Sequence, residues 1–147
     1  FTHRDPLSVV GSAASLAWNQ TIIYSDHAEP GAVGEEWLRK VRLQIERMRR
    51  ARDDIPKHRY IDVHYEEMET DWRAALGRVY AFLGFDIEPV LPAMEAYQRR
   101  TRRLKRRPHR YSIAEFGLSR GRVLEELGDY MRTYGIASDA NRGVAAR

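Results

Sequence analysis

Ser8, Ser12, Ser15 and Asn19 follow one another at intervals of four, three and four residues, the spacing that aligns side chains on one face of an α-helix. Leu7, Val9, Val10 and Leu16 lie between them, so the four form a polar stripe on an otherwise apolar segment. Arg4 stands just before the segment, and Gly11 lies beside the stripe, where the missing Cβ permits close approach by a ligand. The first turn of a helix presents N–H groups to an anion, an interaction worth about 0.3–1 kcal/mol to a phosphate and up to about 2 kcal/mol when partly buried. A cation ahead of such a terminus and a polar stripe beside a glycine make a ligand-facing helix one reading of this segment. The alternative is that small hydroxyls merely allow tight packing or bond back to the preceding turn. Asp5 opposes an anion unless its carboxylate is consumed as the helix cap.

A second cluster lies at residues 99–110, Arg-Arg-Thr-Arg-Arg-Leu-Lys-Arg-Arg-Pro-His-Arg. Such density suits phosphate contact, or nucleic acid held through counterion release; the competing reading is a solvated helix face and loop. Pro108 and the flanking Tyr111 favour a fixed loop. There is no Gly-x-Ser-x-Gly elbow, Walker A sequence or complete dinucleotide fingerprint. The histidines His3, His27, His58, His64 and His109 lack metal-ligand spacing, and no metal is expected.

The elements that must position these groups are mostly helices. Asp5 as cap and Pro6 at the first helical position start one that runs to Tyr24. Its apolar residues Leu7, Val9, Val10, Leu16, Ile22 and Ile23 on most faces predict burial. Residues 25–34, with Pro30, Gly31 and Gly34, read as a loop. A helix follows over 35–54 with Trp37, Leu38, Val41, Ile45 and Met48 in one stripe. Residues 59–65 alternate as a strand, with a turn at 66–69, and residues 1–3 suit a second strand. Thr70 or Asp71 caps a helix whose inner face is Trp72, Ala75, Leu76, Val79, Tyr80 and Leu83, with Gly84 as its stop. Another helix covers 88–104, followed by the basic loop 105–111. The last begins near Ser119 and ends at Gly135, and residues 137–147 read as a flexible tail. Two strands are too few for a stable sheet, and the chain begins with Phe1 inside what reads as a turn. These residues therefore read as part of a larger domain.

Composition narrows the classes. Hydrophobic residues are 43% and charged residues 31%, a globular balance, and 147 residues suit one domain. Lys+Arg 25 against Asp+Glu 21 give +4, and a pI near 9.6 favours anionic partners. Zero cysteines exclude a disulfide scaffold, thiol catalysis and Cys-ligated metal, and fit a cytoplasmic location. Residues 6–25 carry no charge, but Ser8, Ser12, Ser15, Asn19, Gln20, Thr21 and Ser25 break the run, so neither a membrane span nor a secretory signal is expected.

The segment 2–12, Thr-His-Arg-Asp-Pro-Leu-Ser-Val-Val-Gly-Ser, resembles the 3′-phosphate-binding segment of sulfotransferases that use 3′-phosphoadenosine 5′-phosphosulfate. In that family an Arg at a strand end and a Ser eight residues later hold the 3′-phosphate, which maps onto Arg4 and Ser12. Residues 61–68, Ile-Asp-Val-His-Tyr-Glu-Glu-Met, resemble the family's Tyr-Glu-Asp-Leu/Met element and imply that Tyr65 contacts the adenine. Residues 109–118 resemble a late segment of bacterial members. The basic loop before them stands where others present Arg-Lys-Gly to the 3′-phosphate; here Lys105, Arg106, Arg107 and Arg110 are the available cations. The glycine-rich loop that binds the 5′-phosphosulfate, and the upstream segment that supplies a catalytic base, are not among these residues.

The resemblance implies an α/β fold, a P-loop NTPase-like parallel sheet flanked by helices. Residues 1–136 would be its helix-rich C-terminal portion. It implies sulfuryl transfer from the nucleotide to an acceptor hydroxyl or amine, leaving adenosine 3′,5′-bisphosphate, with this chain inactive alone. Nucleic acid is not an expected partner, and neither acceptor nor oligomeric state has a signature here. The rivals are a basic helical nucleic-acid-binding module and a P-loop kinase-like enzyme preferring ATP with Mg²⁺.

Overall fold

The structure, a computed structural model, describes residues 1–103 and 111–138. The chain divides into two compact units, one of residues 1–2 and 61–110, the other of residues 3–60 and 111–147.

The larger unit is built on α1 (Pro6–Tyr24), α2 (Pro30–Asp53) and α6 (Arg120–Thr133). Asp5 Oδ1 accepts the Leu7 N–H at 2.9 Å and Pro6 opens the helix, as the sequence predicts. Ser119 caps α6 by accepting the Arg122 N–H at 3.0 Å, and Gly135 follows that helix in the left-handed region at φ 63°. A 3-10 helix, Ile113–Phe116, has no counterpart in the sequence reading. Val10, Leu38, Val41, Leu118, Val123 and Leu127 form the core, with a second patch of Tyr130, Met131 and Ile136.

Two expectations fail in this unit. The loop assigned to residues 25–34 is helix from Pro30 onward. Proline is preorganised for the first helical position, and Gly34 is there for packing. A Cβ on it would lie 2.1 Å from the Phe116 carbonyl oxygen. Burial of the whole first helix also fails. Leu16, Ile22 and Ile23 are 63%, 47% and 71% exposed, because the core draws on α1 through Leu7, Val9 and Val10.

In the smaller unit the Phe1 ammonium donates to Ile61 O at 2.8 Å and the Val63 N–H to Phe1 O at 2.9 Å. That stagger belongs to a parallel pair, joining β1 (Thr2–His3) to β2 (Val63–His64). The predicted strand 59–65 shrinks at both ends. Lys57–Arg59 is a 3-10 helix, and Tyr65 opens α3 (Tyr65–Thr70) where a strand end and turn were expected. The cause is a capping box. The His64 N–H donates to Glu67 Oε2 at 3.1 Å while the His64 side chain accepts from the Glu67 backbone.

Asp71 caps α4 (Trp72–Phe82), as expected, and α5 (Leu91–Arg103) follows a 3-10 turn at Glu88–Val90. Of the foreseen inner face of α4, Ala75 is buried, Trp72, Leu76, Val79 and Tyr80 are half-buried and Leu83 is exposed. The sheet among the described residues is this one pair, so the α/β expectation is met here by helices and a small parallel ladder. The loop cations 105–110 and tail residues 139–147 lie outside the described residues. No helix among the described residues is long and apolar enough to cross a membrane.

Candidate functional site

Arg4 sits between two buried neighbours, His3 at 1% and Asp5 at 2% exposure. Both carboxylate oxygens of Asp5 are engaged. Oδ1 caps Leu7, and Oδ2 accepts the Ser138 hydroxyl at 3.4 Å. The condition under which Asp5 does not oppose an anion, use of its carboxylate as cap, is thus met. Arg4 is half-buried, with its Nε closed off from water. Ser12 is exposed on the same helix, roughly 10 Å along the axis from the cap at 1.5 Å per residue. Arg4 and Ser12 thus lie in the same unit, Arg4 just ahead of α1 and Ser12 two turns into it.

The rest of the stripe divides. Ser15 is buried at 6%, and the Ser8 carbonyl accepts the Tyr111 hydroxyl at 3.0 Å. A Cβ on Gly11 would meet the Tyr111 ring at 2.7 Å and Ile113 at 3.0 Å. The close approach that Gly11 permits is made by Tyr111, not by a ligand, and this corrects the sequence reading. Packing and exposure share the stripe, leaving Ser12 and Asn19 to solvent.

A cluster that the sequence reading missed holds the residue before Arg4. His3 Nδ1 is hydrogen-bonded to the Tyr130 hydroxyl at 3.1 Å, and its ring stacks on Tyr134 at 4.4 Å. Arg52 covers Tyr134 at 5.3 Å and Tyr60 at 4.2 Å, and the Tyr134 hydroxyl reaches Met48 Sδ at 3.8 Å. The available signal was Tyr130 and Tyr134 one turn apart on an apolar face; nothing in the sequence joined them to His3.

Tyr65 belongs to the smaller unit and is 38% exposed at the first position of α3. Its helix start is fixed by Glu67, which also accepts Arg78 at 2.6 Å. Lys105, Arg106, Arg107 and Arg110 fall outside the described residues. Of the basic run before them, Arg99 and Arg100 are exposed; Arg99 pairs with Glu95 at 3.6 Å and Arg100 lies over Tyr97 at 5.7 Å.

Elsewhere in the larger unit a groove is lined by Thr21, Ser25, His27, Val33, Glu36 and Trp37. The Glu36 carboxyl is held at about 2, below its ordinary 4.5, chiefly by its hydrogen bond to Arg39 and further by Lys40.

Comparison with known proteins gives two matches. The sequence profile of the sulfotransferase family matches residues 1–89. The crystal structure of sulfotransferase STF9 from Mycobacterium avium is similar at a TM-score of 0.74 and 22% identity, over 92% of this chain and 36% of that one. The chain thus spans about a third of the STF9 chain's length, and the likeness shows a shared fold. No curated protein sequence matches it significantly.

Proposed function

Since the chain belongs to the sulfotransferase family, we propose that it carries the 3′-phosphate and adenine contacts of a sulfotransferase that uses 3′-phosphoadenosine 5′-phosphosulfate. Residues 1–136 form the C-terminal portion of that domain. Arg4 pairs with the 3′-phosphate and the Ser12 hydroxyl donates to it. The resemblance gives the adenine to Tyr65, and a cation among Lys105, Arg106, Arg107 and Arg110 adds to the phosphate charge balance.

The observation that supports this most is the division of the polar stripe. Asp5 is spent as a cap, Ser15 is inside, and Ser12 is exposed on the helix that Arg4 precedes. These residues fit a phosphate: a long cationic side chain ahead of α1 whose neighbouring carboxylate already holds an N–H and a hydroxyl, and an outward hydroxyl on the helix that follows.

The reaction is an in-line transfer. An acceptor oxygen or nitrogen bonds to sulfur as the bond from sulfur to the bridging phosphate oxygen breaks, and the acceptor's proton passes to a base. Adenosine 3′,5′-bisphosphate departs. Negative charge spreads over the sulfonate and bridging oxygens, so positioning and cationic stabilisation carry the catalysis, as in phosphoryl transfer. Arg4 and Ser12 contribute positioning: they anchor the nucleotide at its 3′ end, away from the reacting sulfur. A glycine-rich phosphosulfate loop is not among these 147 residues, and on this reading their part in the reaction is to hold the nucleotide.

Calorimetric titration tests this. Adenosine 3′,5′-bisphosphate should bind about tenfold or more tightly than ADP, as expected for a charge-assisted contact to the 3′-phosphate, which ADP lacks. Equal affinity for the two, or steeply salt-dependent RNA binding without preference for a 3′-phosphorylated adenosine, would contradict it.

A further inference from the structure

Arg4 can grip a phosphate at a fixed place only if its backbone is fixed, and the residues on either side show how that is done. On the C-terminal side Asp5 is tied to Leu7 and Ser138. On the N-terminal side His3 is 1% exposed and meets two tyrosines one turn apart, Tyr130 in α6 and Tyr134 at its C-terminal cap. Tyr130, itself 7% exposed, supplies the hydroxyl at 3.1 Å from Nδ1. Tyr134 supplies a stacked face at 4.4 Å and 19°, and the two tyrosine rings lie 5.2 Å apart. Packing alone does not require this chemistry. An apolar side chain would fill the space without two polar groups that must satisfy each other. What the hydrogen bond adds is direction, because its strength falls steeply with misalignment. It fixes the orientation of the ring of His3, the residue directly before Arg4.

We propose that Tyr130, acting through His3, is a positioning residue for Arg4, so that the directed His3–Tyr130 contact sets how well the 3′-phosphate is recognised. The inference rests on the reading of Arg4 as the 3′-phosphate ligand. Neither His3 nor Tyr130 touches the nucleotide.

The test compares adenosine 3′,5′-bisphosphate with adenosine 5′-monophosphate, which differs by the 3′-phosphate alone, in calorimetric titrations of the full chain. Arg4→Ala should abolish the preference for the bisphosphate. Tyr130→Phe should reduce that preference about fivefold, the value of one ordinary hydrogen bond, while affinity for the monophosphate stays unchanged. In an Arg4→Ala background Tyr130→Phe should change neither affinity. The variant His3→Phe with Tyr130→Phe removes both polar partners and restores apolar packing, which is nearly neutral for stability. It should melt close to the wild-type chain and still lack the full preference.

Equal weakening of both nucleotides by Tyr130→Phe, or recovery of the wild-type ratio in the double variant, would show a purely structural contact and overturn the inference. Wild-type preference in Tyr130→Phe, beside a lost preference in Arg4→Ala, defeats the positioning role alone. Preference retained in Arg4→Ala instead defeats the assignment of Arg4 on which the inference rests.

Discussion

The two ends of α1 both carry large apolar residues and meet different fates. From Pro6 to Ser15 the helix is tied down: Asp5 caps it, Tyr111 closes on Ser8 and Gly11, and Val10 is fully buried. Further along, Leu16, Ile22, Ile23 and Tyr24 face solvent, Tyr24 at 88%, while Trp18 is half-buried. An apolar side chain states a preference for burial but does not supply the surface that buries it. The difference comes from long-range partners, Tyr111, Ile113 and Ser138, which approach the first turns. The proposed phosphate ligands belong to the anchored end, where a side chain can be held to a fixed position.

Substitutions sharpen that contrast, and the largest effect belongs to the segment that closes on the anchored end. Gly34→Ala drives a Cβ to 2.1 Å from the Phe116 carbonyl oxygen. Backbone cannot swing aside as a side chain does, so the loss should reach about 3 kcal/mol or more by chemical denaturation. Near-wild-type stability would mean that the contact of α2 with residues 113–116 is not close. Gly11→Ala meets the Tyr111 ring at 2.7 Å, which can rotate, and should cost about 1–3 kcal/mol. A wild-type midpoint there would place Tyr111 elsewhere and remove the clamp from the anchored end. Ile23→Ser, at a position 71% exposed, should change stability by no more than about 0.5 kcal/mol in either direction; a loss comparable to that of Gly11→Ala would erase the comparison.

The smallest effect concerns pH. Glu36 borders the groove that Thr21 and Ser25 also line, and its folded pKa of about 2 lies below its ordinary 4.5. Its contribution is fully present above about pH 4.5 and is lost as pH falls through about 2. Being exposed, it is screened by solvent and salt. Denaturation of Glu36→Gln should therefore show a small deficit at pH 7 that vanishes near pH 2. A constant deficit across that range would assign the loss to packing instead of charge.

The parts of the fold that were legible in the sequence are those fixed by local chemistry. Asp5-Pro6, Asp71 and Ser119 announce helix starts because a side-chain oxygen must meet an N–H within three residues. Gly135 marks an end because of its positive φ. The failures are decided at a distance. Gly31 and Gly34 look like loop residues until Phe116, far along the chain, is found against the helix. Tyr65 looks like the end of an alternating strand, but the His64–Glu67 capping box turns it into helix. The same holds for the site. Arg4 and Ser12 were singled out through spacing and resemblance, and the capped helix α1 carries Ser12 on its exposed side. Gly11 was assigned the wrong neighbour, and the His3–Tyr130 contact was invisible because its partners are 127 residues apart.

A double-mutant cycle on Arg4 and Ser12, titrated with adenosine 3′,5′-bisphosphate, tests the central claim most directly, with Asn19→Ala from the unanchored end as control. Arg4→Ala should weaken binding roughly tenfold to a hundredfold, the range of a charge-assisted contact. Ser12→Ala should weaken it less, and their losses should be non-additive because both groups meet one phosphate. Asn19→Ala should leave it unchanged. Wild-type affinity in both Arg4→Ala and Ser12→Ala, or a larger loss from Asn19→Ala than from either, would contradict a 3′-phosphate site at the anchored end of α1.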